Sequence, residues 1–227
     1  MTIRLFPTTF LRRIARPLAL ACATLVAATV PSHAAQLEFI LDKSHQYIAF
    51  EASHLGFSPV RGRFQDVDAT LMIDEANPET STVRVVIQTA SVDSDHAARD
   101  GHLRSPDFLS AEAHPEIVFE STAIRFDETA EGHPQSGTIT GDLTLRGVTK
   151  PASLSFELLR DAPFPFPGYN NVRTLGFKAQ GTIRRAEWGM TYALGEIIAD
   201  EVELTLNFDA VHCVGDAAKA PSCTYGR

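Results

Sequence analysis

Residues 139–158 read ITGDLTLRGVTKPASLSFEL, and their alternation decides the fold. Ile139, Gly141, Leu143 and Leu145 share one phase, against Thr140, Asp142, Thr144 and Arg146 in the other. Ala152, Leu154, Phe156 and Leu158 then alternate with Ser153, Ser155 and Glu157. Successive side chains of a strand point to opposite faces, so this period marks a sheet with one apolar and one polar side. The same period recurs on both sides of the stretch: at Ile48, Phe50 and Ala52; at Val83, Val85 and Ile87; at Ile117 and Phe119; at Leu175, Phe177, Ala179, Gly181 and Ile183; and at Val202, Leu204, Leu206 and Phe208. The run from Gly62 to Asp74 also alternates, but its phase slips by one after Phe64, as a bulge would cause. Eight such runs, with no internal repeat and no long helical stretch, predict an all-β antiparallel barrel or sandwich.

Two segments interrupt the meander. Residues 94–104 carry helix formers behind Ser94 or Asp95, either of which suits an N-cap, so a short helix is expected between the third and fourth runs. Residues 161–171, DAPFPFPGYNN, hold three prolines and must form a loop. Its Phe164 and Phe166 are expected to fold back onto something apolar. On the apolar face, Ala52, Ala69, Gly141, Ala152, Ala179 and Gly181 lie among larger residues. Small side chains there either leave a channel along the barrel axis or relieve crowding where strands curve.

The first 34 residues contain Arg4, Arg12, Arg13 and Arg16, no acid, an apolar run from Pro17 to Val30, and then Ser32-His33-Ala34. This is the pattern of a cleaved secretory signal, with an apolar segment too short to span a bilayer. Cys22 lies inside that run, and Ala19-Leu20-Ala21 before it fits a lipoprotein signal poorly. The expected organisation is a signal over 1–34, a barrel over 35–210 and a tail over 211–227. Without the four leader arginines, 16 basic residues face 28 acidic ones, a net charge of −12 over 193 residues. Such a surface repels polyphosphates and argues against nucleic acid and against a polybasic membrane patch. Cys213 and Cys223 remain in the tail, and in an oxidising compartment their simplest state is a disulfide.

Chemistry concentrates in HAARDGH, residues 96–102. His96, Asp100 and His102 are metal-ligand types, but on one helix positions four and six apart point in directions that do not converge. A metal-assisted hydrolase built on them would need a further ligand such as His114 or His54, with no familiar spacing in support. The bland alternative is structural: Arg99 and Asp100 tie the helix to the barrel rim while Leu103 and Phe108 anchor it inside. His45 and His54 flank the first strand as rim hydrogen-bonding groups, and Trp188 reads as a barrel plug. No GxSxG elbow, phosphate-cradling glycine loop or dinucleotide fingerprint occurs, so no cofactor is expected. An outer-membrane barrel also fits eight strands with one apolar face, but aromatic girdles are missing.

Four ordered segments carry a resemblance: LDKSHQYIAFEASHLGFSPVRGRF at 41–64, SVDSDHAARDGHLRSPDFL at 91–109, HPEIVFEST at 114–122 and GDLTLRGVTKP at 141–151. From about Leu41 to Phe208 the chain resembles the YceI-like polyisoprenoid-binding family. That resemblance implies an extended, eight-stranded antiparallel lipocalin-like barrel closed at one end by a short helix. It implies a periplasmic protein that binds, stores or transports a long-chain isoprenoid or related amphiphilic lipid without catalysis. The residues then expected around the lipid are Phe50, Phe64, Ile87, Leu103, Phe108, Phe119, Leu143, Phe156, Phe177, Leu204 and Phe208, with His96, Arg99, Asp100 and His102 as polar groups at the head-group rim. Fourteen phenylalanines against four tyrosines and one tryptophan suit a dry sleeve, because Phe brings no polar atom needing a partner. A membrane-protein donor or acceptor and a homodimer are the further partners compatible with this reading.

Overall fold

The computed structural model describes residues 36–127 and 135–225. The leader expected over 1–34 lies outside the described residues. Ten strands follow in order: β1 (Leu37–His54), β2 (Ser58–Phe64), β3 (Val67–Ile73), β4 (Thr82–Gln88), β5 (Val92–Asp93), β6 (Glu116–Phe126), β7 (Ser136–Leu145), β8 (Val148–Pro163), β9 (Arg173–Arg184) and β10 (Glu201–His212). One eight-residue helix, α1 (Ala97–Arg104), lies between β5 and β6.

All pairings are antiparallel, and the meander from β6 to β10 closes when β10 pairs with β1, setting Phe50 opposite Leu204 and Leu41 opposite Ala210. β2 and β3 lie end to end along β1: Phe64 faces Ile48, and Thr70 faces Ile40. Together they form one wall position interrupted at Gln65 and Asp66, where the alternation slips phase. The barrel is therefore eight strands round, and the two-residue β5 is an appendage on β2. Closure turns the apolar phase of every strand toward one axis and leaves polar residues outside, where Arg61 bonds Glu51 and Arg84 bonds Glu120. An outer-membrane barrel requires the reverse arrangement.

β1 carries its own irregularity: the four residues between Leu41 and Gln46 oppose the single residue between Ala210 and Phe208. The carboxylate of Asp42 turns into the protein there, fully buried. It accepts hydrogen bonds from the Ser44 backbone N–H (3.0 Å) and hydroxyl (2.6 Å), and lies 3.0 Å from His45 Nδ1. Burial without such partners would be costly. On neighbouring β10, burial pushes the Asp209 carboxyl above its ordinary range, with the Asp42 charge adding to the effect and His45 opposing it.

The half of the barrel holding the start of β1 and the end of β10 is the more densely packed. Phe39, Leu71, Leu175 and Ala210 are buried there. Phe126 meets Phe156 edge to face at 5.5 Å, and Phe177 lies 5.5 Å from Phe208. Phe39 and Phe156 are buried, and full burial of a Phe contributes roughly 1.5–3 kcal/mol, whereas Phe126, Phe177 and Phe208 are half-buried. At the same end a second cluster joins Val172, Val211, Ala220 and Cys223. The proline-rich loop folds back onto it through Phe164, which stacks on Tyr169 at 4.5 Å, while Phe166 stays exposed.

Cys213 and Cys223 are bonded, with Cα atoms 5.8 Å apart. Closing a loop of this length removes unfolded-state entropy equivalent to about 2–3 kcal/mol. A Cys213→Ala/Cys223→Ala variant is expected to lose about that much stability in urea unfolding while keeping the β-sheet circular dichroism of the parent. An unchanged unfolding midpoint would show that the bridge does not constrain the chain.

Candidate functional site

The inward phase of the strands at the other half encloses a cavity of about 840 Å³. That lies within the range of roughly 300–1,000 Å³ that encloses a drug-sized ligand. Its walls are Ile48, Phe50 and Ala52 of β1, Val60 and Phe64 of β2, Val85 and Ile87 of β4, Ile117 and Phe119 of β6, Leu143 and Leu145 of β7, Ala152 and Leu154 of β8, Ile183 of β9, and Val202, Leu204 and Leu206 of β10. Eight of the eleven apolar residues expected around a lipid line it: Phe50, Phe64, Ile87, Leu103, Phe108, Phe119, Leu143 and Leu204. Phe156, Phe177 and Phe208 do not. They lie in the other half, where Phe156 borders a separate, smaller cavity of about 350 Å³, so the main cavity is a well rather than a bore running the length of the barrel.

The hollow depends on where the large rings lie. Gly62 sits directly opposite Phe50 on the paired strand, and a Cβ added there would strike the Phe50 ring. A Cβ on Gly141 would come within 2.6 Å of the Phe119 ring, and one on Gly181 within 2.6 Å of Leu154 Cδ2. Bulky side chains thus lie flat on the glycines of neighbouring strands instead of pointing to the axis. The two readings of the small residues merge: they relieve crowding at the wall, and by doing so keep the centre open. Ala52 and Ala152 line the well itself, whereas Ala69 and Ala179 are packed in the core.

The polar groups are disposed by α1. Its N-cap is His96, whose Nδ1 accepts from the Arg99 backbone N–H at 3.2 Å, rather than Ser94 or Asp95. Ser94 is engaged otherwise: its N–H donates to buried Asp100 (2.8 Å), its hydroxyl also bonds that carboxylate, and its own oxygens accept from Arg99 Nε (2.8 Å) and Nη2 (2.6 Å). Arg99 and Asp100 therefore clamp the helix start onto the end of β5, without pairing with each other or with a rim acid. Arg104 fixes the helix end by donating to the carbonyls of Ala90 and Val92. His102 lies 3.0 Å from Asp107 and meets the rings of Phe108 and Tyr192 edge-on, each at 4.9 Å. His96, Asp100 and His102 thus serve three separate partners. Among the described residues no three His, Cys, Asp or Glu side chains gather as a metal-binding set. Of the four expected rim residues, Arg99 and His102 line the cavity and His96 and Asp100 do not.

Arg185 was not among the expected residues, although the Arg184-Arg185 pair breaks the alternation where β9 ends. It is only 2% exposed yet lines the cavity. It donates to the carbonyls of Ala199, Met190, Tyr192 and Ile198 at 2.7–3.0 Å, strapping residues 190–199 over the end of the barrel. Burial pulls its pKa below the ordinary arginine value, and the Asp200 charge opposes that fall. Trp188, on the turn before this loop, is buried in the core and donates to the Leu143 carbonyl at 3.2 Å, outside the cavity lining. The strapped loop meets the β1–β2 hairpin, where Leu55 N–H donates to Ile197 O (2.8 Å) and Ala199 N–H to Ser53 O (3.0 Å). Leu55 and Gly56 hold positive φ and project Phe57, 90% exposed. Leu55, Phe57, Tyr192, Leu194 and Ile197 make an exposed apolar border beside the opening.

Residues 39–210 match the model of a family described as the YceI-like domain. A UPF0312 protein of Ectopseudomonas mendocina is 38% identical over 195 residues, covering 85% of this chain and 97% of that protein. BcnA of Burkholderia cenocepacia has a similar crystal structure, with a TM-score of 0.63 at 20% identity over 74% of this chain and 98% of that one. So has a domain from Saccharophagus degradans described as polyisoprenoid binding and implicated in plant cell wall breakdown, with a TM-score of 0.56 at 14% identity over 78% and 99% of the two chains.

The glycine–ring arrangement gives a direct test. In Gly62→Ala the new methyl meets only the Phe50 ring, which must swing toward the axis. The variant is expected to fold, with a smaller cavity and at least a tenfold weaker uptake of a long-chain fluorescent lipid, since ten methylenes' worth of contact is not needed to lose about 1.4 kcal/mol when each is worth about 0.8. Uptake equal to that of the parent would mean that the ring does not govern the free volume.

Proposed function

The chain belongs to the YceI-like family, and on that premise we propose that its well holds the tail of a long-chain isoprenoid or related amphiphile, non-covalently, for storage or transport in the periplasm. One observation carries the reading: an apolar well of about 840 Å³, opening beside an exposed apolar border. Removing each methylene of a tail from water contributes about 0.8 kcal/mol, so a long chain needs few polar contacts to bind. The description of the Saccharophagus domain as polyisoprenoid binding points the same way. The noncatalytic reading is supported by the polar side chains around α1, whose bonds run to the fold rather than converging on a point where a reacting atom would sit. The secretory pattern of residues 1–34 supports a periplasmic site. A tail so poorly soluble is exchanged at the border of Leu55, Phe57, Leu194 and Ile197, with a membrane-protein donor or acceptor.

Mass spectrometry of protein purified under native conditions is expected to detect a co-purifying lipid, and delipidated protein to take up a polyprenyl or quinone probe. Absence of both would sink the proposal. Phe57→Ser is expected to slow transfer of that probe from a membrane-protein donor severalfold while changing its equilibrium affinity little, since Phe57 is outside the well. Unchanged transfer kinetics would remove the border from the exchange route.

A further inference from the structure

We propose that Arg99 and Arg185 form an anion-binding end of the well, so that the preferred ligand ends in a phosphate or carboxylate rather than in a hydroxyl or plain hydrocarbon. This rests on the reading that the well holds a lipid, and narrows it to a head-group class.

A guanidinium carries five N–H groups and accepts nothing. Arg185 gives four of them to main-chain carbonyls, one from Nε, two from Nη1 and one from Nη2, leaving one on Nη2 undonated. Arg99 uses Nε and one Nη2 hydrogen on Ser94, leaving both hydrogens of Nη1 and one of Nη2. Among the described residues neither guanidinium has a carboxylate within 4.0 Å, whereas Arg61, also in the lining, and Arg63, Arg84 and Arg173 on the outside each have one. Carbonyl dipoles satisfy hydrogen bonds but supply no opposite charge. Arg185 is therefore a cation, 98% removed from solvent, in the wall of an apolar well, with no carboxylate in direct contact and only the neighbouring Asp200 charge, whose carboxylate is bonded to Ala186 N–H, opposing the cost of burial. A buried charge in that state is costly, and an arriving anion offsets the cost through charge-assisted, fork-shaped bonding.

The two cations belong to the same end. Arg99 and His102 lie three apart on α1, one helical turn. His102 packs on Phe108 at 4.9 Å, and the Arg185 guanidinium carbon lies 6.0 Å from the centre of that same ring. His54, Ser58, Arg61 and Tyr192 of the lining are polar and stand in the β1–β2 hairpin and the 190–199 loop; the strand walls beyond them are apolar, so a ligand with its anion here directs its tail toward Phe50, Phe119 and Leu143. Asp95 is the one carboxylate in the lining; it is exposed, and water screens it.

The test compares geranylgeranyl phosphate with geranylgeraniol, which share a tail, on the delipidated full mature chain. The phosphate is expected to bind at least about tenfold more tightly, the scale of one charge-assisted hydrogen bond. That ratio is expected to fall toward one in Arg99→Gln and in Arg185→Gln. If Arg185→Gln does not fold because the 190–199 strap is lost, the parent ratio and Arg99→Gln decide. Equal affinities in the parent, or a preference that survives Arg99→Gln undiminished, would overturn the proposal while leaving the lipid reading intact. Binding of neither probe would overturn both.

Discussion

The antiparallel contact between β1 and β10 is the constraint on which the rest depends. Without it the chain is an open sheet with two bare edges and one apolar face exposed to water. With it, every inward side chain of eight strands is aimed at a single axis, and their combined volume decides whether the interior is filled or hollow. The pairing also sets levels along that axis. Phe50 thus falls opposite Leu204 at the level of the cavity, and Phe208 opposite Phe177 at the level of the packed half.

A hollow of this size is not the default outcome of collapse, since unfilled space forfeits contact that packed side chains would make. Two features keep it open. Phe50 and Phe119 are held against the wall by glycines on the adjacent strand, which gives their rings a resting place outside the axis. The other half of the barrel, with Phe39, Leu71, Leu175 and Ala210 buried and two aromatic pairs beside them, supplies the stability that the hollow half cannot. Separating the two roles along the axis lets one end be a core and the other a site.

Period two was enough to read the eight walls, including the slip after Phe64, because inward and outward phases are written residue by residue. It was not enough to read depth. Phe156, Phe177 and Phe208 share the phase of the cavity residues and differ from them only in height, which depends on the register between strands distant in sequence. The N-cap was misread for a different reason. Ser94 and Asp95 have the better intrinsic capping propensity, but Ser94 is held by Asp100 and Arg99, and the role passes to His96. Arg185 was invisible because its four acceptors are main-chain carbonyls, whose positions no residue type announces.

The mouth illustrates how polar groups are used in this fold. Ser94, Arg99, Asp100 and Arg104 together hold α1 to β5, and Arg185 alone holds the loop over 190–199 through four carbonyls. Both devices join irregular backbone to the barrel by hydrogen bonds in place of a shared apolar core, which is what an opening requires, since an apolar plug would fill the space a ligand needs. The two devices differ in charge. Around α1 the buried carboxylate of Asp100 lies among donors that include the cation's own partner, Ser94, whereas Arg185 bonds neutral carbonyls directly and feels the Asp200 carboxylate only at longer range. The chain as a whole is acidic. Two guanidiniums, Arg99 and Arg185, nonetheless border the well itself, where Asp95 is the single carboxylate in the lining. Long-range repulsion from that acidic surface is screened within about 8–10 Å at physiological salt, so the local guanidiniums, not the net charge, govern which polar end the well accepts.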